Sequence, residues 1–195
     1  MNPEKEKYTK LWSTLEYRMA SPGMDNVNNF IQHMPPAYTQ AGTVRSVIDF
    51  GCGPGRATLM LQKCGYEVYG VDFAENCLDA QVRGNIEFHV ADLTELVDKD
   101  LPCGKADLGF CCDVMEHIPP RDVVRVIDGI MENVKDRCYF QIACRDDYFG
   151  KLVGEKLHLT VNPPSWWLAT LSGMGYQIEW SDATPGELKC IISHK

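Results

Sequence analysis

Nowhere in this chain are two cysteines separated by two residues, although it carries nine of them in 195 residues. That lack argues against a structural zinc site and against a thioredoxin-type redox pair, and no metal is expected. The count is odd and the positions are scattered, several of them inside apolar segments where a free thiol behaves as a small core residue. A reducing, cytoplasmic setting is the expectation. No window approaches the apolar length of a membrane span. The opening Met1-Asn2-Pro3-Glu4-Lys5 lacks the character of a signal peptide. Positive charge is also short, with 19 Lys and Arg against 27 Asp and Glu, a net charge of −8. No basic stripe is present, which counts against a nucleic-acid partner. Internal repeats and low-complexity segments are absent too. A 45% apolar, 24% charged chain of this length forms one ordinary globular domain.

The most informative stretch is Val47-Ile48-Asp49-Phe50-Gly51-Cys52-Gly53-Pro54-Gly55. An apolar run reads as a buried strand, the alternating glycines as its exit turn, and Arg56 onward as a helix. Glycine lets the backbone turn sharply and lets a ligand lie against it. The free N–H groups of the helix start suit an anionic or polar group. A dinucleotide site wants G-x-G-x-x-G, but the third glycine here comes one position early, at Gly55, with Arg56 in the expected place. A nicotinamide enzyme is therefore disfavoured. A second strand, Glu67–Val71, ends at Asp72, twenty-one positions after Gly51. A carboxylate there can accept both hydroxyls of a ribose, with Phe73 beside it for an adenine. A third strand, Ile86–Val90, leads to Ala91-Asp92-Leu93. Either Asp could instead cap a helix.

The G-x-G-x-G loop, the acidic Asp49 before it and the ordered strand-end carboxylates resemble the class I S-adenosylmethionine-dependent methyltransferases, small-molecule type. The resemblance covers about Ser46 to the end. It implies an α/β, Rossmann-like, seven-stranded, mostly parallel sheet, with an antiparallel last strand between its neighbours and helices on both faces. Residues 1–43 would form an N-terminal helical cap and 44–195 the core. S-adenosylmethionine is the implied cofactor, held by Asp49, Gly51, Cys52, Gly53, Gly55, Asp72, Phe73, Asp92, Leu93 and Asp113.

The remaining segments fit that plan. Tyr8, Leu11, Trp12 and Leu15 share one helical face, and Phe30, Ile31 and Met34 suggest a second helix ended by Pro35-Pro36. Ser21-Pro22-Gly23 reads as the turn between them. Trp12, Tyr17 and Arg18 are candidates for a lid, against core packing for Trp12 and a solvated face for Arg18. Helices are expected over Arg56–Cys64 and Ala74–Val82, with a short one over Leu93–Val97. Strand four, Ala106–Cys112, precedes Asp113-Val114-Met115-Glu116-His117-Ile118-Pro119-Pro120. A helix through Val123, Val126, Ile127, Ile130, Met131 and Val134 then leads to strand five, Cys138–Ala143. A long loop, Cys144–Val161, carries His158, and long loops commonly serve function. Pro164–Leu171 reads as a helix, and Tyr176–Trp180 and Leu188–Ile192 as the last strands. Asn162-Pro163-Pro164-Ser165 resembles the N-P-P-aromatic motif of amino-methyltransferases. Strand four already ends at Asp113, however, and Ser165 is not aromatic. A helix start explains it better, with Trp166 and Trp167 divided between core and pocket wall.

Methyl transfer mainly requires approach of nucleophile and methyl and exclusion of water. A hydroxyl nucleophile also benefits from a base. His117 follows strand four, where open α/β sheets bind substrate, and imidazole titrates near neutrality. His158 is the second candidate; for each, a structural hydrogen bond or packing is the alternative. The expected function is methyl transfer to oxygen or nitrogen of a small molecule, without nucleic acid or membrane as partner. A macromolecule methyltransferase and a catalytically silent cofactor-binding subunit are the alternatives. The acceptor and the oligomeric state are not encoded in any motif.

Overall fold

A computed structural model describes residues 3–20 and 23–195. Its centre is one sheet of seven strands: β1 (Ser46–Phe50), β2 (Glu67–Asp72), β3 (Glu87–Val90), β4 (Ala106–Cys112), β5 (Val134–Ala143), β6 (Gln177–Thr184) and β7 (Glu187–Ser193). They lie in the order β3-β2-β1-β4-β5-β7-β6. The first five pair in parallel, and β7 is antiparallel to both β5 and β6. The antiparallel last strand between its neighbours is thus observed. Strand order reverses between β1 and β4, so a crevice opens beyond the carboxyl ends of those two strands.

The helices are α1 (Pro3–Leu11), α2 (Leu15–Met19), α3 (Gly23–His33), α4 (Arg56–Lys63), α5 (Val123–Glu132) and α6 (Pro164–Gly173). All five residues of β1 are buried, as a strand covered on both faces requires. Ile48 and Phe50 enter one core with Ile127, Ile130 and Trp167, while Val47 enters the other with Phe30, Leu61 and Phe110. In α5, Val123, Val126, Ile127, Ile130 and Met131 are buried, the i, i+3, i+4 stripe of a helix laid on a sheet. Pro164 occupies the first turn of α6, where its missing N–H costs nothing.

Three local expectations are corrected. Residues 74–82 form successive turns, not a helix. The Arg18 guanidinium takes the carbonyls of Asn76 and Cys77, groups that a helix would have used itself, and Asp79 is held by both Arg18 and Arg56. The leading helix breaks at Trp12: the Thr14 hydroxyl donates to the Leu11 carbonyl, α2 begins at Leu15, and Leu15 is 75% exposed. Of the two tryptophans in α6, Trp167 is in the core and Trp166 faces solvent, so neither walls the cavity described below. Ser21 and Pro22 of the expected turn, like Met1 and Asn2, lie outside the described residues.

Candidate functional site

The turn after β1 is tied to the neighbouring strand. Both Gly51 N–H and Cys52 N–H donate to the Val71 carbonyl, at 2.8 and 2.9 Å. Gly51 and Gly53 have φ of 73° and 50°, a region that a Cβ makes costly. A Cβ on Gly51 would strike Val114, and one on Gly53 would lie 2.8 Å from the Trp12 ring. Here glycine permits both the turn and the close approach of a ring.

Asp72 ends β2 with its side chain aimed back at this turn. One carboxylate oxygen accepts from Gly53 N–H at 3.1 Å and the other from Ala74 N–H at 2.9 Å. Each oxygen retains a second lone pair. Burial pushes its pKa up to about 6. Asp49 takes another role. Its carboxylate accepts from the Thr58 hydroxyl at 2.5 Å, burial raises its pKa to about 7, and it braces α4 behind the loop instead of lining the cavity. Cys52 and Gly55 are likewise packed within the loop's support, Gly55 against Leu78 and Val82.

A cavity of about 420 Å³ opens over the turn. Gly51, Asp72, Phe73, Asp92, Leu93 and Asp113 line its floor and walls. Tyr8, Trp12 and Tyr17 from the leading helices form the roof. Tyr8 packs on Phe73 with ring centres 5.4 Å apart, and Tyr17 packs on Trp12 at 4.7 Å. Asp92 caps the following 3-10 turn, accepting from both the N–H and the hydroxyl of Thr94. Asp113 has φ of 57°, the one non-glycine residue in the left-handed region among the described residues. Strain of this kind costs on the order of 1–3 kcal/mol and concentrates at ligand sites.

Beyond β4, a 3-10 turn (Met115–His117) places Glu116 inward and His117 on the cavity wall. Glu116 is fully buried and joins three segments. One carboxylate oxygen accepts from Ala143 N–H at 3.1 Å, and its backbone carbonyl accepts from the N–H groups of Leu159 and Thr160. Burial, reinforced by the neighbouring Asp113 carboxylate, holds the Glu116 pKa well above the usual range. His117 Nδ1 lies 3.1 Å from the Leu157 carbonyl and 2.7 Å from the Tyr8 hydroxyl. A carbonyl can only accept, so that bond places the proton on Nδ1, with the Tyr8 oxygen as second acceptor, and leaves Nε2 its lone pair. Burial lowers the His117 pKa to about 4, so the ring is neutral at pH 7.

His158 does not reach the cavity wall. It lies behind His117, ring centres 4.8 Å apart and nearly perpendicular, with Nδ1 2.6 Å from the Arg145 carbonyl. The fold therefore brings the two candidate histidines together but exposes only one to the cavity. Several wall residues had no signal in the sequence, among them Glu4, Thr94 and Arg121. Tyr8 had one, since its apolar face was legible, but its hydroxyl contact with residue 117 was not. Arg18 proves to be a fastener, donating to Asp79 at 3.1 Å.

Known proteins share this fold. Residues 47–137 match a family model described as a methyltransferase domain. A 95-residue stretch is 30% identical to the ubiquinone biosynthesis O-methyltransferase of Bordetella avium, spanning 45% of this chain and 39% of that protein. A 104-residue stretch is 27% identical to the magnesium-protoporphyrin O-methyltransferase of Rhodobacter capsulatus, spanning 50% of this chain and 44% of that one. The matches thus span less than half the length of these relatives. Among solved structures, the S-adenosylhomocysteine complex of DhpI superposes with a TM-score of 0.70 at 19% identity, covering 96% of this chain and 93% of that one. Magnesium protoporphyrin IX methyltransferase from Synechocystis, also with S-adenosylhomocysteine, gives 0.66 at 17% identity, covering 100% and 95%.

Proposed function

We propose that this chain, a class I S-adenosylmethionine-dependent methyltransferase by its fold and its glycine-loop core, methylates a hydroxyl oxygen of a small molecule. One observation carries the reading: a single roofed cavity joins the glycine turn, the strand-end carboxylates and a neutral imidazole. The residues suit the cofactor. Gly51 offers backbone without a Cβ, Asp72 keeps lone pairs for a ribose diol, and Phe73 and Leu93 offer apolar faces for an adenine. The aromatic roof suits a cationic sulfonium. When bound, S-adenosylmethionine supplies an electrophilic methyl group. The protein's own part is to hold the acceptor beside it and to keep water out.

His117 presents the Nε2 lone pair to the acceptor's hydroxyl, while the Leu157 carbonyl fixes the other ring nitrogen as donor. Choice of oxygen over nitrogen rests on the two O-methyltransferase relatives. A macromolecular acceptor suits a roofed cavity of this size less well. Calorimetric titration with S-adenosylhomocysteine, with NADH as control, tests the cofactor assignment. Selective binding of the former is expected, and turnover of a panel of hydroxylated acceptors then tests the reaction. Selective NADH binding would overturn the reading, and cofactor binding without turnover on any acceptor would favour a silent subunit.

A further inference from the structure

Glu116, His117 and His158 each offer a donor atom, and the three atoms lie within 4.8 Å of one another. Glu116 is 0% exposed and His158 6%. The second carboxylate oxygen of Glu116 has no hydrogen-bond partner among the described residues, although it is buried. A buried carboxylate oxygen without a partner is costly, and an ion or water is its usual explanation. The histidines are oriented as metal ligands are: Nδ1 of His158 donates to the Arg145 carbonyl, and Nδ1 of His117 faces the Leu157 carbonyl. A ligating imidazole characteristically donates its other N–H to such a group, which fixes the tautomer and leaves Nε2 for the metal.

The geometry points to a binding site for a divalent transition-metal cation, held by Glu116, His117 and His158 at the back of the cavity. Two imidazoles and one carboxylate suit Zn²⁺, Fe²⁺ or Co²⁺ better than the all-oxygen shell that Mg²⁺ or Ca²⁺ takes. Bonds near 2.1 Å require donors about 3.4 Å apart in a tetrahedral shell, so the side chains must close by up to about 1.4 Å. The remaining coordination position would face the cavity through His117, the one ligand on its wall. The class of acceptor follows, and this part rests on the methyltransferase reading: a hydroxyl-bearing molecule ligating through oxygen, whose proton the cation makes easier to lose. With the cation bound, Nε2 of His117 is a ligand and no longer the base, and the proton is released to solvent as the acceptor binds. A cation at these three side chains runs against the expectation of no metal.

The probe is Co²⁺, added to the chelator-stripped full chain. One equivalent is expected, with visible d–d absorption and no thiolate-to-cobalt charge transfer. Two exchangeable, hyperfine-shifted imidazole N–H resonances are expected in the proton spectrum, one for each Nδ1–H. Glu116→Gln and His158→Ala should each weaken Co²⁺ binding by at least about tenfold, the scale on which metal sites respond to loss of a partner. S-adenosylhomocysteine titration of the same samples reports the cofactor site separately, so failure of either assignment is visible alone. A wild-type chain that takes up no Co²⁺ would overturn the site. So would fewer than two shifted N–H signals, or a thiolate band, which would place the ion at the Cys52–Asp72–Cys77 cluster. These wild-type readouts decide even if a variant folds poorly.

Discussion

Asp72 serves the fold, and in the proposed reading the same side chain serves the ligand. Its two oxygens already hold Gly53 and Ala74 N–H groups, so the lone pairs left over are aligned before any ligand arrives. Replacing it by Ala removes charge-assisted hydrogen bonds and should weaken S-adenosylhomocysteine binding by about 1.5–3 kcal/mol. Unchanged affinity in calorimetry would remove Asp72 from the site. Its titration adds a second expectation. Burial raises its pKa to about 6, so below that value the free protein carries the neutral acid, which cannot accept two hydroxyl donors equally well. Cofactor affinity should therefore fall as pH drops through 6, roughly tenfold per unit once ionised Asp72 is the minor form. In Asp72→Asn the affinity should be weak and flat over the same range. His117 contributes no acid limb near neutrality, because its pKa lies at about 4.

At the scale of elements, α2 is a five-residue helix with no buried residue. Tyr17 packs on Trp12 and Phe149, and Arg18 fastens the helix to the turns at residues 76–79. The guanidinium bonds to two carbonyls and the Asp79 carboxylate, and the same carboxylate receives Arg56 from the start of α4. Arg18→Ala should loosen the roof while sparing the sheet. Limited proteolysis within the first 22 residues should accelerate by about tenfold, the effect of some 1.4 kcal/mol of local opening, and the main melting transition should shift little. Equal cleavage rates for variant and wild type would show that α2 is held by other means. The same arginine explains why residues 74–82 defeated a reading from the sequence. Their apolar spacing suits a helix, and Cys77, Leu78 and Val82 are indeed buried, but a residue some sixty positions earlier claims the carbonyls. The glycine turn and β1, β2 and β4 were legible because their signals are local: apolar runs, then glycines, then a carboxylate. The pairing of His117 with His158 was not, since 41 positions separate them and tertiary contacts bring them together: Leu159 and Thr160 dock on the Glu116 carbonyl, and the Leu157 carbonyl meets His117. Likewise Asp49 stands where a family resemblance expects a cofactor residue, and only the partner Thr58 reveals its bracing role.

For the whole molecule, the balance of buried charge sets a pH response. Burial raises Asp49 to about 7 and Asp72 to about 6, and Glu116 also lies well above its ordinary value. In each case the native state holds its proton to higher pH than the unfolded chain. Their contribution is fully present below the ordinary carboxylate range and is lost as pH rises through the folded values. His117 acts in the opposite sense: its pKa falls from 6.5 to about 4, so its part is present above 6.5 and lost on the way down. Asp107 and Asp147 are held below their ordinary value, which matters only at more acid pH. Above it the three raised carboxyls oppose His117, and the native chain should bind more protons than the unfolded chain between about pH 5 and 7. Stability should consequently be greater at pH 5.5 than at pH 8, on the order of 2 kcal/mol. Scanning calorimetry at the two values checks this, and a higher melting temperature at pH 8 would contradict it.

The Trp12 indole lies against Gly53 in the glycine turn, and it is buried with its N–H unpartnered. Of the four tryptophans in the chain it is the one that walls the cavity. The protein consequently carries a native chromophore at its own doorway. Arrival of a ligand on the glycine turn must change that indole's surroundings, by moving it or by giving its N–H a partner. Emission at wavelengths selective for tryptophan would then follow each entry and exit in real time, without a label and without knowledge of the acceptor.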